Sequence, residues 1–422
     1  MRRCLSADRN AHPLERAAFA MVSTTPAPMR SSRRLAGGVW ALGFVSLFMD
    51  VSSEMIHGLL PVFLVGTLGV SAAALGLIEG LAESTAAITK LFSGVLSDRI
   101  GRRKPLALLG YGMAAMTKPL FPLADSALTV FLARFLDRIG KGIRGAPRDA
   151  LVADLTEPEH RGAAFGLRQT LDTVGAFIGP LLAILLMMAL GDRVRLVFWI
   201  ATIPACIAVA ILAFAVHEPA RTDVAGNVKN PLAKFRWDAF PPSFWRLVTI
   251  AVLFTLTRFS EAFLVLRAVG SGLPDHFAPL ALVVMNLVYL ASAYPAGALS
   301  DRWPRSRLLV LGCVVMIAAD GFLAFGRGLA PIFTGIALWG LHLGLTEGLL
   351  AAMTADAAPA AWRGTAFGVI NLVRGVMLLV ASVLAGALWT SFGAEVTFMA
   401  GAAFAALTAI VAARGTPPVV NH

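Results

Sequence analysis

Charge is what this 422-residue sequence has least of: 14% of its residues are Asp, Glu, Lys or Arg. Soluble domains carry about 25%. Hydrophobic residues make up 57%, and mean hydropathy is +0.75. A chain so short of charge cannot cover one aqueous globule, which excludes an ordinary soluble enzyme or binding module. Cysteine is scarce too. Cys4, Cys206 and Cys313 stand far apart, and neither CxxC nor a His/Cys group at ligand spacing occurs. That excludes a disulfide scaffold and a structural metal site, and leaves Cys206 and Cys313 as expected small core residues. Catalytic signatures are missing as well: there is no His-Glu-x-x-His and no Gly-x-Ser-x-Gly. Gly140-Lys141-Gly142 is no phosphate loop, since position 135 is Phe and no Ser or Thr follows the lysine. An intramembrane enzyme and an ATP-driven pump therefore lack their motifs, and no cofactor is expected. A long apolar stretch before a cleavage site is missing from the first 35 residues, which are polar and carry Arg2, Arg3, Arg16, Arg33 and Arg34, so no cleaved signal peptide is expected there. They read as a cytoplasmic tail, with Met21 and Met29 as alternative starts.

What is present is apolar length. Runs long enough to cross roughly 30 Å of hydrocarbon recur along the chain. Twelve spans are predicted: 36–66, 71–97, 105–124, 127–153, 162–190, 194–216, 245–268, 277–299, 307–326, 330–355, 364–390 and 394–413. The expected domains are a tail 1–35, a six-helix bundle 36–216, a polar linker 217–243, a second bundle 244–414 and a tail 415–422. The linker stretch Lys234-Phe-Arg236-Trp237 mixes cations with aromatics, as a short helix at a membrane surface would.

The net charge of +11 admits two readings, a polyanion-binding surface or the cationic loops of a polytopic protein. Placement favours the second. Arg99, Arg102, Arg103 and Lys104 share one loop; Arg302, Arg305 and Arg307 share another; Arg221, Lys229, Lys234 and Arg236 fill the linker. Basic residues gathered in alternate loops mark the cytoplasmic side, so both termini are expected there and no nucleic-acid partner.

The two loops are also copies. Gly94-Val-Leu-Ser-Asp98-Arg99 recurs as Gly297-Ala-Leu-Ser-Asp301-Arg302, 203 residues on. Arg161-Gly-Ala-Ala-Phe165-Gly166 recurs as Arg363-Gly-Thr-Ala-Phe367-Gly368, 202 residues on, and Ser53-Glu54 as Ser260-Glu261, 207 residues on. Even numbers of spans in each half make the halves parallel, related by an axis along the membrane normal.

With this duplicated plan and the loop Gly94-x-x-x-Asp98-Arg99-x-Gly101-Arg102-Arg103-Lys104, the chain resembles the major facilitator superfamily (MFS) over about residues 36–414. Arg134, Gly140 and Gly142 resemble its fourth-helix motif, with Asp137, Arg138 and Lys141 as departures. Gly175-x-x-x-Gly179-Pro180 is similar to the fifth-helix motif of proton-coupled exporters, with Ala183 and Ile184 where two glycines usually follow. The resemblance implies an all-α polytopic membrane protein of twelve transmembrane helices in two six-helix bundles. It also implies a secondary transporter, working as a monomer by alternating access. Within the superfamily the chain is similar to bacterial subgroups linked to arsenite, metal or siderophore efflux, without a substrate-specific motif.

Each motif has its own physics. Gly94 permits close helix approach. Asp98 can receive the positive end of a neighbouring helix, such as the one opened by Gly364. Arg102 and Arg103 can hold headgroups or helix carboxylates. Together with Arg99, Gly101, Asp301 and Arg302 they form an expected conformational latch. Gly140, Gly142, Gly145 and Pro147 cluster in the fourth span, an expected bend.

Ionisable residues inside spans cost about 3 kcal/mol or more and mark a pathway or a partner. Asp50, Glu54 and His57 share one face of the first span; Glu79, Glu83 and Lys90 share one of the second. Arg134, Asp137, Arg138, Lys141, Arg144 and Arg148 fall on a broad face of the fourth. Arg168 and Asp172 are spaced to pair in the fifth, while Lys118 stands isolated in the third. The second half offers Arg258, Glu261, Asp320, His342, Glu347 and Arg374. Pairing within the first bundle and lining of a central cavity both account for these stripes. Burial disfavours a charged carboxyl and a nearby cation favours it, the competition a proton-coupling site uses. Asp50, Glu54 and Glu83 are the expected coupling carboxyls, with Arg134 as their modulating cation. Lys141, Arg144 and Arg148 read equally as anion-attracting or snorkelling residues. His57 and His342 read as core histidines, not metal ligands. Proton-coupled export of a drug-like, toxic or metal-related compound is the expected function, and proton-coupled import of a small anion its alternative.

Overall fold

The structure is a computed structural model, and it describes residues 37–100, 102–157, 160–218, 240–300, 303–358 and 363–414. The tail 1–35, nearly all of the linker with its Lys234–Trp237 stretch, and the tail 415–422 lie outside these residues. Fourteen α-helices and no strands occur among the described residues. In the first half they are α1 (Gly37–Val62), α2 (Ala72–Ile100), α3 (Lys104–Thr117), α4 (Ala127–Asp154), α5 (Arg161–Leu190) and α6 (Val194–Ala215). In the second they are α7 (Pro242–Leu256), α8 (Ala262–Gly270), α9 (Leu280–Ser300), α10 (Arg305–Phe325), α11 (Leu329–Thr346), α12 (Leu349–Ala357), α13 (Arg363–Phe392) and α14 (Ala394–Ala413). Helices α7 and α8 together make span 7, and α11 and α12 make span 10. Both spans are thus interrupted midway, at Thr257–Glu261 and at Glu347–Gly348.

Local chemistry sets several boundaries. Ser126, in extended conformation, caps α4 by accepting the Thr129 N–H at 3.3 Å. Gly191 ends α5 in the left-handed region at φ 63°. Gly393, 202 residues later, stands at φ 85° in the matching turn between α13 and α14. The duplication therefore extends to the turn glycines.

Helices in lipid gain little from burying apolar surface against each other, so close packing has to hold them. A β-carbon on Gly175 would lie 2.6 Å from the Leu47 carbonyl oxygen, and one on Gly179 would lie 2.8 Å from that of Val51. These glycines, with Pro180 buried beside them, seat α5 against α1. Gly140 presses on the Gly110 oxygen of α3 at 2.7 Å, and Gly142 on the Ala86 oxygen of α2 at 2.8 Å, by the same measure. Helix α4 runs unbroken through Gly140, Gly142, Gly145 and the buried Pro147. These residues also pack helices, and the spans interrupted among the described residues lie in the other half.

Each half has an apolar core. One joins Val51, Phe63, Phe121 and Phe198; the other joins Phe244, Phe254, Trp339 and Phe398. They interlock at one end, where Val62 of α1 enters the second core and Ala262 of α8 enters the first. That end is the one remote from the chain termini. There Gly76 of α2 lies against Gly386 of α13, the Ala73 N–H donates to Thr390 Oγ1 at 2.9 Å, and His276 Nδ1 meets Asp192 Oδ1 at 3.4 Å. Toward the termini the side chains between the halves are more open: Glu83 is 31%, Arg374 35% and Glu347 47% exposed.

Cys313 is buried as expected, but Cys206 is exposed on α6, a correction to its reading as a core residue. A thiol is small and apolar enough to face lipid as readily as a core.

Candidate functional site

The innermost charges form closed pairs. Arg134 donates from Nε to Glu79 Oε1 at 3.0 Å and from a terminal nitrogen to Oε2 at 2.8 Å, with both side chains at 2% exposure or less. Such a fork matches a carboxylate in plane and fixes α4 against α2. Lys118, at the end of α3, donates to Asp137 Oδ1 at 2.9 Å and Ser53 Oγ at 3.1 Å. It is therefore not isolated: its partners sit on α4 and α1. Arg134, the expected modulating cation, spends its fork on Glu79 and stands 3.9 Å from Glu83.

A second layer is less enclosed. Arg138 pairs with Glu83 at 3.0 Å, and His57 reaches Glu54 at 3.4 Å and Glu79 at 3.8 Å. Asp50 of α1 and Asp172 of α5 are neighbouring carboxyls that act on one another electrostatically. Arg168 approaches Asp172 at 3.6 Å, the expected pair, and Arg148 approaches it at 3.8 Å while also holding Asp149 at 3.0 Å. Arg144 lies 4.8 Å over the Tyr111 ring. Lys141 is exposed, and Lys90 is exposed beside Gly145.

In the second half one guanidinium joins both interrupted spans. Arg258, in the break of span 7, donates Nε to His342 Nε2 at 3.0 Å and binds Glu347, at the break of span 10, at 2.9 Å. It also donates to Thr346 Oγ1 and lies 4.5 Å over Phe254. His342 completes its bonding at the Gly312 carbonyl, 2.8 Å from Nδ1, so it is a core histidine engaged at both nitrogens. Arg374 of α13 stands 3.8 Å from Glu347. Glu261, at the other end of the span 7 break, interacts electrostatically with charges of the opposite half: His57, Glu54, Glu83 and Lys141. The repeated Ser-Glu pairs Ser53-Glu54 and Ser260-Glu261 thus bring two glutamates toward one another between the halves. Among the described residues no three His, Cys, Asp or Glu side chains gather as a metal site.

The latch residues fall unevenly. A β-carbon on Gly94 would stand in ordinary contact with Ala146 of α4, at 3.5 Å. The side chains of Asp98, Arg99 and Gly364 and the residues Gly101, Asp301 and Arg302 lie outside what is described. Arg102 is exposed. Arg103 pairs with Asp154 at 2.9 Å, and Glu218 accepts the backbone N–H groups of Arg103 and, at 3.3 Å, Lys104. In the second loop Arg305 binds Asp356 and the Ala352 oxygen. Sequence reading passed over Asp154, Glu218 and Asp356. Each is an acidic residue just past a span, which is the signal that would have found them.

The sequence matches the family model of the Major Facilitator Superfamily over residues 42–382 and 270–421. An uncharacterized MFS-type transporter of Methanocaldococcus jannaschii is 32% identical over 394 residues, 90% of this chain and 95% of that protein. Multidrug resistance protein MdtH of Yersinia pestis is 32% identical over 145 residues, 34% of this chain and 36% of that protein. Among solved structures, the nucleoside transporter NupG shares the fold at a TM-score of 0.76 and 12% identity, covering 89% of this chain and 99% of that one. Duplicated halves, twelve membrane crossings and this match over nearly the whole chain make the protein a member of the major facilitator superfamily.

Proposed function

We propose that this transporter exports a drug-like, toxic or metal-related compound from the cytoplasm in exchange for protons, as a monomer with both termini cytoplasmic. The observation that carries the reading is the meeting of Asp50 and Asp172. Two neighbouring carboxylates repel, which favours a proton on one of them, and Arg148 and Arg168 stand close enough to compete with that proton for Asp172. Glu54 and Glu83 share the same layer and are held by His57 and Arg138. Carboxyls that trade a proton for a cation are what coupling requires. The far end is closed by α2 packed on α13, so a solute arriving from the terminus side meets these groups first. The partial similarity to a multidrug resistance protein agrees with export. The latch reading of Asp98 with Arg102 and Arg103 belongs to the same proposal, as a contact made in one state of the cycle and broken in the other.

A second reading rests on Lys141, exposed, and Arg374, half-buried between the halves: proton-coupled import of a small anion. One assay separates them. Acidified inside-out vesicles carrying a pH-sensitive dye are given drugs, metals, arsenite and organic anions in turn. Export predicts compound-specific alkalinisation that Glu54→Gln abolishes. Silence to every compound, with correctly inserted protein, rejects export and turns the test to anion uptake in right-side-out vesicles. A response that survives Glu54→Gln unchanged assigns Glu54 to structural pairing.

A further inference from the structure

Asp320 takes part in neither charge network. Its side chain is fully buried on α10, and neither carboxyl oxygen has a hydrogen-bond partner. It faces Gly401 of α14, where a β-carbon would stand 2.7 Å from Oδ2 and 3.2 Å from the edge of the Phe259 ring. Phe259 lies in the break between α7 and α8. Its ring centroid is 5.3 Å from Trp339 and 5.5 Å from Phe398, so the Gly401 contact lies at the edge of an aromatic cluster. Beside it, a cavity of about 10 Å³ lined by Phe259, Thr397 and Gly401 has room for about one water.

The ionisable groups on the helices packed against α10 are committed elsewhere. His342 lies between the Gly312 oxygen and Arg258, and Arg258 holds Glu347. Arg267 of α8 gives its donors to the Leu323, Ala324 and Gly326 carbonyls, and Asp356 is held by Arg305. Glu395 is exposed at the start of α14, and Cys313 is a buried thiol two turns back along α10. No cation reaches Asp320 among the described residues.

An isolated carboxylate in such surroundings is far costlier than the neutral acid. Close by is the irregular backbone of the span 7 break, whose Phe259 ring shares the neighbourhood of Gly401 with the Asp320 carboxyl. We propose that Asp320 is a second proton-binding site of this transporter: a carboxylic acid stored in the C-terminal half, reached by water when span 7 shifts at Thr257–Glu261. This goes beyond the coupling carboxyls proposed above. It rests on movement between the halves, not on the substrate or on the role of Glu54.

Infrared spectroscopy of the full chain in lipid tests it without a substrate. The wild type should show the C=O band of a carboxylic acid in an apolar site, and Asp320→Asn should remove that band. A band pattern unchanged by the substitution would overturn the assignment. If Asp320→Asn does not insert, Gly401→Ala serves instead, since its new methyl group pushes on Oδ2. The band must then shift, and an unmoved band counts against the proposal. Gating is read from exchange of the same proton in heavy water. A short thiol cross-link between Ala73→Cys and Thr390→Cys, neighbours across the far end, should slow exchange about tenfold or more. Exchange as fast in the cross-linked protein as in the free one would show that movement of the halves does not open the site.

Discussion

Arg134 in the first half and Arg258 in the second each hold a carboxylate inside the membrane domain, on different kinds of support. Arg134 joins two unbroken helices through a fork to Glu79, which His57 approaches at 3.8 Å. Arg258 sits where its own helix has come apart, and its donors are divided among His342, Thr346 and Glu347. Glu347 in turn lies between Arg258 and Arg374, at a second break. A one-to-one buried pair fixes the helices it spans. A guanidinium spread over partners at two interrupted helices can exchange them with less loss. The first half is thus built to hold charge still and the second to let backbone move around it. Duplication supplied the same helix plan twice, and the polar residues made the copies different.

The largest expected effect breaks the rigid side. Arg134→Ala leaves Glu79 buried and uncompensated, a loss of about 3–5 kcal/mol. Thermal unfolding of the purified transporter should show the loss, with little protein recovered from membranes. Replacing both members, Arg134→Met with Glu79→Leu, should restore most of it, since an apolar pair of similar volume is often neutral. If the double variant stays as unstable as Arg134→Ala, the pair has a role besides packing. On the mobile side, Arg258→Lys keeps the charge but loses the fork and the multiple donors. The expected cost is about 2 kcal/mol at most, accompanied by a large loss of transport. The reverse outcome, with stability falling as far as in Arg134→Ala and transport intact, would erase the contrast between the halves.

The membrane spans, the duplication and the pairing of Arg168 with Asp172 were legible because each rests on spacing along one helix or on a literal repeat. Partners on different helices were not. Lys118 reads as isolated because Asp137 and Ser53 reach it only after α4 and α1 are rotated into place. The break in span 7 has no sequence flag: Arg258-Phe-Ser-Glu261 contains neither Gly nor Pro. The backbone opens there while Arg258 is drawn to span 10 and the Ser260 hydroxyl accepts the Ala262 N–H at 3.3 Å. Conversely, the glycines of the fourth span read as a bend, and the structure shows that they are also the points against which α2 and α3 press. A glycine announces either freedom or closeness, and the neighbours decide which.

Gly140→Ala turns that ambiguity into the smallest and sharpest of these measurements. The added methyl group would stand 2.7 Å from the Gly110 oxygen and 3.1 Å from the Ala114 nitrogen, both backbone atoms that cannot swing aside. Overpacking of this kind costs about 1–3 kcal/mol, and alanine's better helix propensity returns at most about 1 kcal/mol of it. The net expectation is a stability loss of about 1 kcal/mol, read from thermal unfolding. Transport per folded molecule should stay near the wild-type rate, since α4 is a straight support in this account. Gly162→Ala is the matched control, because nothing lies within 4 Å of the new atom. A bend in the fourth span would give the opposite signature. Stability would rise as glycine's freedom is removed from a helix, and turnover would fall as the bend stiffens. The sign of the stability change therefore decides whether the moving parts of this transporter lie in the half that carries most of its charge or in the half that carries its broken helices.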